Sequence, residues 1–147
     1  MNDHDAVQQL LDRVAIEDVL VQCALAQDRQ DWDGVAGCFE PDAVYLHPKG
    51  RIDGVAGIVE RSRSALGALD SSQHLIGSIR IEVSGDTARS TSSFHAQHFR
   101  ASAPGGDLFV ISGTYDDDLR RRDGIWRICE RRQSYVGRWG NPAVIVR

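Results

Sequence analysis

The fold is decided by residues 15–45, which read AIEDVLVQCALAQDRQDWDGVAGCFEPDAVY. The first half of this stretch repeats apolar residues at i, i+3, i+4 and i+7, the spacing of one helix face. The members of that face are Ile16, Val19, Leu20, Cys23, Ala24 and Gln27. At about 100° per residue, Gln27 falls near the middle of the face and Asp28 at its edge. The sequence therefore predicts a helix whose end turns two polar side chains toward the interior.

A second, shorter helix is predicted after Asp31, which is a typical N-cap residue. The segment EPDA then leads into a strand, AVYLH, on which Tyr45 and His47 share a face because strand side chains alternate. A third helix is predicted after HPKGRIDG, a Gly-rich segment that is expected to be a loop. The residues on its packed side are Val55, Ile58, Val59, Ser62, Leu66 and Leu69.

The second half of the chain favours strands. Four long segments are predicted, at residues 73–83, 87–100, 108–122 and 125–136, and they are joined by the turn sequences SGD, APGGD and RDG. Successive hairpins of this length imply a strongly bent antiparallel sheet, and helices over one side of it would leave a concave pocket. We therefore expect an α+β fold.

Length and composition set further bounds. A chain of 147 residues is expected to form a single domain, 1–147, with a core of its own. No apolar run approaches the roughly 20 residues that span a bilayer, so no membrane association is expected. The N-terminus lacks a basic flank followed by an apolar run, which favours a cytoplasmic protein.

A formal net charge of −4 argues against nucleic acid as a partner. Cys23, Cys38 and Cys129 are far apart and odd in number, which favours buried reduced thiols.

The opening stretch, together with SSQHLIGS (residues 71–78) and SGTYDDDLRRRDGIWRICERR (residues 112–132), resembles the SnoaL-like branch of the NTF2-like superfamily. The resemblance covers nearly the whole chain. It implies a cone-shaped α+β barrel, in which N-terminal helices pack on a strongly curved, mostly antiparallel sheet around a deep pocket. It also implies a homo-oligomer. A homodimer or homotrimer is expected, because the outer face of such an open sheet has to be covered.

Within the superfamily, the scytalone dehydratases and hexachlorocyclohexane dehydrochlorinases offer the nearest chemical parallel. They use an aspartate and histidine pair to remove a proton in an elimination, and the matching residues here are Asp28 and His74. A carboxylate that accepts the Nδ1 proton of an imidazole fixes its tautomer and leaves Nε2 to face the substrate. Such a general base contributes on the order of 10²- to 10⁴-fold in rate. The alternative is structural: Asp28 is a polar residue at a frayed helix end, and His74 is an ordinary strand histidine.

A second histidine on the next strand of the dehydratases makes His98 the candidate partner for the leaving group. Phe94, Ala96 and His98 share one strand face, whereas His95 lies on the other, so a zinc site shared by the two histidines is not expected. A structural role for His98 stays open.

Four further positions are candidates for substrate binding through the same resemblance. Gln27 and His47 stand where the dehydratases carry catalytic tyrosines, and Tyr45 either supplies a phenol instead or is a packed aromatic. Arg131 resembles an arginine near the dehydrochlorinase site, where a cation attracts a departing anion. Arg132 points the other way, so only one of the two can serve.

The function expected from these residues is that of a cofactor-independent lyase or isomerase, with no metal, acting on a small and largely apolar molecule. His74 would be the base, Asp28 its orienter, and His98, His47 or Arg131 the stabiliser of the departing group or enolate. Two alternatives belong to other classes of protein. One is a non-catalytic small-molecule-binding protein, and the other is an accessory subunit resembling the β subunits of ring-hydroxylating dioxygenases.

Overall fold

The computed structural model describes residues 1–145. The chain contains three helices, of which two precede the first strand and the third follows the second strand. They are α1 (Asp3–Asp28), α2 (Trp32–Gly37) and α3 (Val55–Leu66). The strands are β1 (Phe39–His47), β2 (Gly50–Asp53), β3 (Ser71–Ser84), β4 (Thr87–Phe99), β5 (Leu108–Arg122) and β6 (Ile125–Gly140). A short 3₁₀ turn, Pro142–Val144, follows β6.

All six strands form one sheet in the order β2-β1-β6-β5-β4-β3. Only the β1–β6 pair is parallel, and the other neighbours are antiparallel. Bulges interrupt the register of β3 against β4 after Gly77 and that of β5 against β6 at Gly113, and bulges increase the local bend and twist of a sheet. The α+β fold with a curved, mostly antiparallel sheet is thus confirmed.

The helices cover the concave side of the sheet. Ile16, Leu20 and Cys23 on α1 are buried, as their spacing predicts, and they join a core cluster with Val35 of α2 and Ile128 of β6. The side chain of Asp31 accepts a hydrogen bond from the backbone N–H of Gly34, which is the predicted N-cap of α2. No helix in the described part of the chain has both the length and the apolar character needed to cross a bilayer.

The structure corrects several local predictions. The strand β2 lies inside the Gly-rich segment that was expected to be a loop, because residues 50–53 pair with the end of β1 as a short hairpin. The strands β1 and β6 also extend beyond their predicted limits. Cys23 and Cys38 are buried free thiols as expected, but Cys129 is half-buried rather than buried.

Candidate active site

A pocket lies between the helices and the concave face of the sheet. Its cavity volume is about 80 Å³, and one ordered water needs about 10–15 Å³ by the same measure, so there is room for several waters or one small ring compound. Residues of α1, α3 and all strands except β2 line this pocket. Its polar lining includes Gln27, Tyr45, His47, Arg61, His74, His98, Gln133 and Tyr135. Between them lie apolar and aromatic side chains, among them Ile58, Phe94, Ile111 and Tyr115. A concave cavity that combines apolar walls with converging polar groups is a common form of small-molecule site.

Asp28 and His74 meet at one side of this pocket. The α1 helix ends at Asp28, and β3 brings His74 alongside, so that His74 Nδ1 lies 2.6 Å from Asp28 Oδ1. Asp28 also accepts hydrogen bonds from the backbone N–H of His74 at 2.9 Å and from the hydroxyl of Ser72 at 3.1 Å. The side chain of Asp28 is 16% exposed and that of His74 is 7% exposed. The carboxylate is therefore fixed by three donors and assigns the Nδ1–H tautomer to His74, which leaves Nε2 as the nitrogen with a lone pair.

His98 lies next to this pair, on β4. The rings of His74 and His98 are 5.6 Å apart and nearly perpendicular. His98 Nδ1 donates to the carbonyl oxygen of Phe109 at 3.0 Å. Burial lowers the pKa of His98 to about 4, since little solvent is left to stabilise an imidazolium. His98 is thus neutral near pH 7 and presents Nε2 as a hydrogen-bond acceptor.

Tyr45 reaches the pocket from β1, but its hydroxyl is committed elsewhere. It donates to Oε1 of Gln133 on the neighbouring strand β6, at 2.6 Å. Burial raises the pKa of the Tyr45 phenol well above its ordinary value, because the phenolate would be desolvated. Tyr45 therefore acts as a fixed wall with a satisfied hydroxyl, and it is not an acid near neutral pH.

Gln27 and His47 also line the pocket. His47 lies on the same strand face as Tyr45, and its Nε2 is 2.8 Å from Nη2 of Arg61 on α3. The structure thus places four of the predicted site residues, Gln27, Tyr45, His47 and His98, around one cavity with His74, and Asp28 directly behind it.

Arg131 is the exception, because it does not line the pocket. Its guanidinium is buried beneath the pocket floor, where Nε and Nη2 contact the two carboxylate oxygens of Asp117 at 2.7 and 2.9 Å. It also stacks on the ring of Tyr115 at 4.0 Å. The structure therefore gives Arg131 a buried ion pair in place of the expected contact with a substrate anion. Arg132 points outward and is exposed, as strand alternation predicts.

The site also contains polar residues that were not singled out in the sequence, among them Ser72, Arg61 and Gln133. Ser72 precedes His74 by two positions and so lies on the same strand face, which is a signal that alternation could have supplied. Arg61 follows Ile58 by three positions on α3, close to the packed face of that helix. Gln133 has no local signal, because only the parallel pairing of β1 with β6 brings it to Tyr45. Within residues 1–145, no group of three or more His, Cys, Asp or Glu side chains is placed to hold a metal ion.

Comparisons with known proteins agree with this geometry. Residues 8–132 match the model of a family described as a SnoaL-like domain. An uncharacterised protein of Mycobacterium tuberculosis is 30% identical over 129 residues, which are 86% of this chain and 86% of that protein. A second M. tuberculosis protein, of unknown function, has a solved structure with a TM-score of 0.79 and 27% identity, covering 92% of this chain and 76% of the other. The hexachlorocyclohexane dehydrochlorinase type 3 of Novosphingobium barchaimii has a TM-score of 0.81 at 18% identity, covering 93% and 94%, a likeness of fold.

Proposed function

Because the chain belongs to the SnoaL-like family, we propose that it is a cofactor-independent lyase or isomerase that acts on a small, largely apolar molecule. The observation that carries this proposal is the 2.6 Å contact between Asp28 Oδ1 and His74 Nδ1 at the wall of the pocket. An imidazole held in this way has one free nitrogen, and that nitrogen is a base. Hexachlorocyclohexane dehydrochlorinases, which share the fold, are named for an elimination.

In the proposed reaction His74 Nε2 removes a proton from a carbon of the substrate. The C–H bond breaks, its electron pair enters a new C=C or enolate bond, and the proton forms an imidazolium that the Asp28 carboxylate stabilises. In a lyase the electron pair of the C–X bond departs with the leaving group, as halide or as hydroxide that takes up the proton. In an isomerase the same proton returns to another atom of the enolate.

The remaining lining residues fit this chemistry through their hydrogen-bonding states. His98, neutral and with Nδ1–H engaged by Phe109, accepts a hydrogen bond from a substrate hydroxyl or a water beside His74. The rings of Phe94 and Tyr115, stacked on each other at 4.5 Å between centroids, add an aromatic wall to the pocket. Burial within such walls excludes water and strengthens the electrostatic effect of the pair.

The proposal is tested by proton abstraction in D₂O. Cyclic ketones, β-hydroxy ketones and chlorinated cyclohexanes are incubated with the protein, and NMR follows loss of a C–H signal or appearance of an alkene. With a compound that reacts, His74→Gln should lower the rate by about 10²- to 10⁴-fold. Asp28→Asn should lower it by about 10²-fold or more, because an amide no longer stabilises the imidazolium or holds one tautomer.

His4→Gln is the matched control, because His4 is an exposed histidine at the start of α1, and it should leave the rate unchanged. Turnover that survives His74→Gln would show that His74 is not the base. If no compound reacts, and a bound compound keeps its affinity in His74→Gln, the protein is a non-catalytic binding protein.

A further inference from the structure

Arg61 is a cation of the pocket wall. It lies on α3, is half-buried, and lines the same cavity as His74. Within residues 1–145, no carboxylate oxygen lies within 4.0 Å of its guanidinium, whereas Arg51, Arg121 and Arg131 each have such a partner. A half-buried guanidinium that has no counter-ion among these residues can bind an anion brought by a ligand.

The contact between Arg61 and His47 supports this interpretation. Arg61 Nη2, which can only donate, lies 2.8 Å from Nε2 of His47. This contact holds the guanidinium beside β1, where its other N–H groups can donate to an oxyanion of a ligand.

The strand order separates the contact between Arg61 and His47 from the base. His74 and His98 lie on β3 and β4 at one side of the sheet, and His47 lies on β1 at the other, with β5 and β6 between them. Ile111 of β5 and Tyr135 of β6 line the pocket between the two sides. A ligand that meets both sides has a polar group at each end and an apolar middle.

We propose that Arg61 makes the pocket selective for a ligand that carries a carboxylate, which it binds at the side opposite the Asp28–His74 pair. This inference rests on the proposed function in one respect, because it assumes that the substrate binds in this pocket. It narrows the substrate class to a small apolar carboxylic acid whose reactive C–H lies across the ring or chain from the carboxylate. A planar guanidinium suits a carboxylate because it can donate two parallel hydrogen bonds.

The test compares two probes of nearly equal shape, benzoate and benzamide, by isothermal titration calorimetry near pH 7. Wild type should bind benzoate at least about tenfold more tightly than benzamide, the effect expected of one charge-assisted hydrogen-bonded contact. Arg61→Gln should abolish that preference. Arg61→Lys keeps the charge but cannot donate two parallel hydrogen bonds, so it should retain part of the preference for benzoate. This second variant keeps the test decisive if Arg61→Gln does not fold.

Arg63→Gln is the matched control. Arg63 lies on the same helix and is exposed, and its substitution removes the same charge from the protein. It should leave the preference for benzoate intact. The inference is overturned if wild type binds benzamide as well as benzoate, if benzoate does not bind, or if the preference survives in Arg61→Gln or falls equally in Arg63→Gln.

His74→Gln separates this inference from the proposed function. The preference for benzoate should persist in that variant, because Arg61 acts at the other side of the pocket. Selective binding of benzoate without any proton abstraction would contradict the proposed function alone. Turnover of neutral compounds, with no preference for benzoate, would contradict the role of Arg61 alone.

Discussion

His98 is a histidine whose neutral state is built into the fold. Its side chain is almost fully enclosed, with 2% of the residue exposed, and Nδ1–H is held by the carbonyl of Phe109. Its pKa is lowered from 6.5 to about 4 by burial. An unfolded chain would protonate this imidazole near pH 6.5, whereas the folded chain resists protonation until about pH 4.

We therefore expect the free energy of unfolding to fall as pH decreases through this window. Between pH 6.5 and about 4 the unfolded state binds one more proton than the folded state at His98, so stability rises with pH there and is lost in acid. The contribution of this residue is up to roughly 3 kcal/mol. In His98→Asn, whose amide keeps an N–H donor for Phe109, the decline over the same range should be shallower. Urea unfolding at several pH values measures both slopes.

His4→Asn removes an exposed imidazole and is the control for that experiment. It should leave the pH slope of wild type unchanged. Equal slopes in wild type and His98→Asn would show that His98 is not held neutral by burial.

At the residue scale, local periods in the sequence could place Asp28 and His98, whereas His74 was predicted from the family resemblance. Helical spacing places Asp28 at the edge of the buried face of α1, and strand alternation places His98 with Phe94 and Ala96. The protonation state of His98 could not be predicted in the same way. It depends on the carbonyl of Phe109, which the pairing of β4 with β5 brings opposite.

At the scale of elements, the strands β5 and β6 are joined by one buried ion pair. Asp117 and Arg131 are register partners, and their side chains are 0% and 3% exposed. Burial raises the pKa of Asp117, although the Arg131 guanidinium opposes that shift. A pair of this kind contributes little net stability while complete, but either charge is costly when left alone.

Arg131→Met should therefore lower the free energy of unfolding by roughly 3–5 kcal/mol, because it leaves the Asp117 carboxylate buried without a counter-charge. Arg131→Met combined with Asp117→Leu should recover most of that loss, since neither charge remains. Urea unfolding near pH 7 measures the two variants.

Arg132→Met changes the exposed neighbour on the same strand and should stay within about 0.5 kcal/mol of wild type. If Arg131→Met costs no more than Arg132→Met, the buried pair is not an essential contact between β5 and β6.

The pair also shows where prediction at this scale stops. Alternation along the acidic run 116–118 indicates that Asp117 points away from its two neighbours, and alternation at Arg131 and Arg132 indicates that only one faces inward. The register of β5 against β6 determines which of these side chains face inward and which of them contact one another. That register includes two bulges. Bulges shift the inward face along a strand, so the partner of Arg131 could not be derived from either segment alone.

At the scale of the whole molecule, the convex side of the sheet carries an exposed apolar patch. The outer patch consists of Leu75 on β3, Val136 and Trp139 on β6, and His95 on β4, whose ring is 5.6 Å from that of Trp139. Val136 is 77% exposed. It lines a groove together with Leu75 and His95, on the side of the sheet away from the helices. Contiguous exposed apolar surface of this kind usually marks a contact with another protein.

We expect a homodimer or homotrimer in which a second copy covers the outer patch, because symmetric self-association is the commonest way for a soluble chain to bury such a surface. Val136→Lys places a charge in the patch and should shift sedimentation velocity profiles from oligomer to monomer. Leu10→Lys is the matched variant, since Leu10 is 62% exposed but lies on α1, on the helical side. It should sediment like wild type. A wild-type monomer would contradict the prediction, and dissociation by Leu10→Lys in place of Val136→Lys would move the interface to α1, where the outer face of the sheet plays no part in assembly.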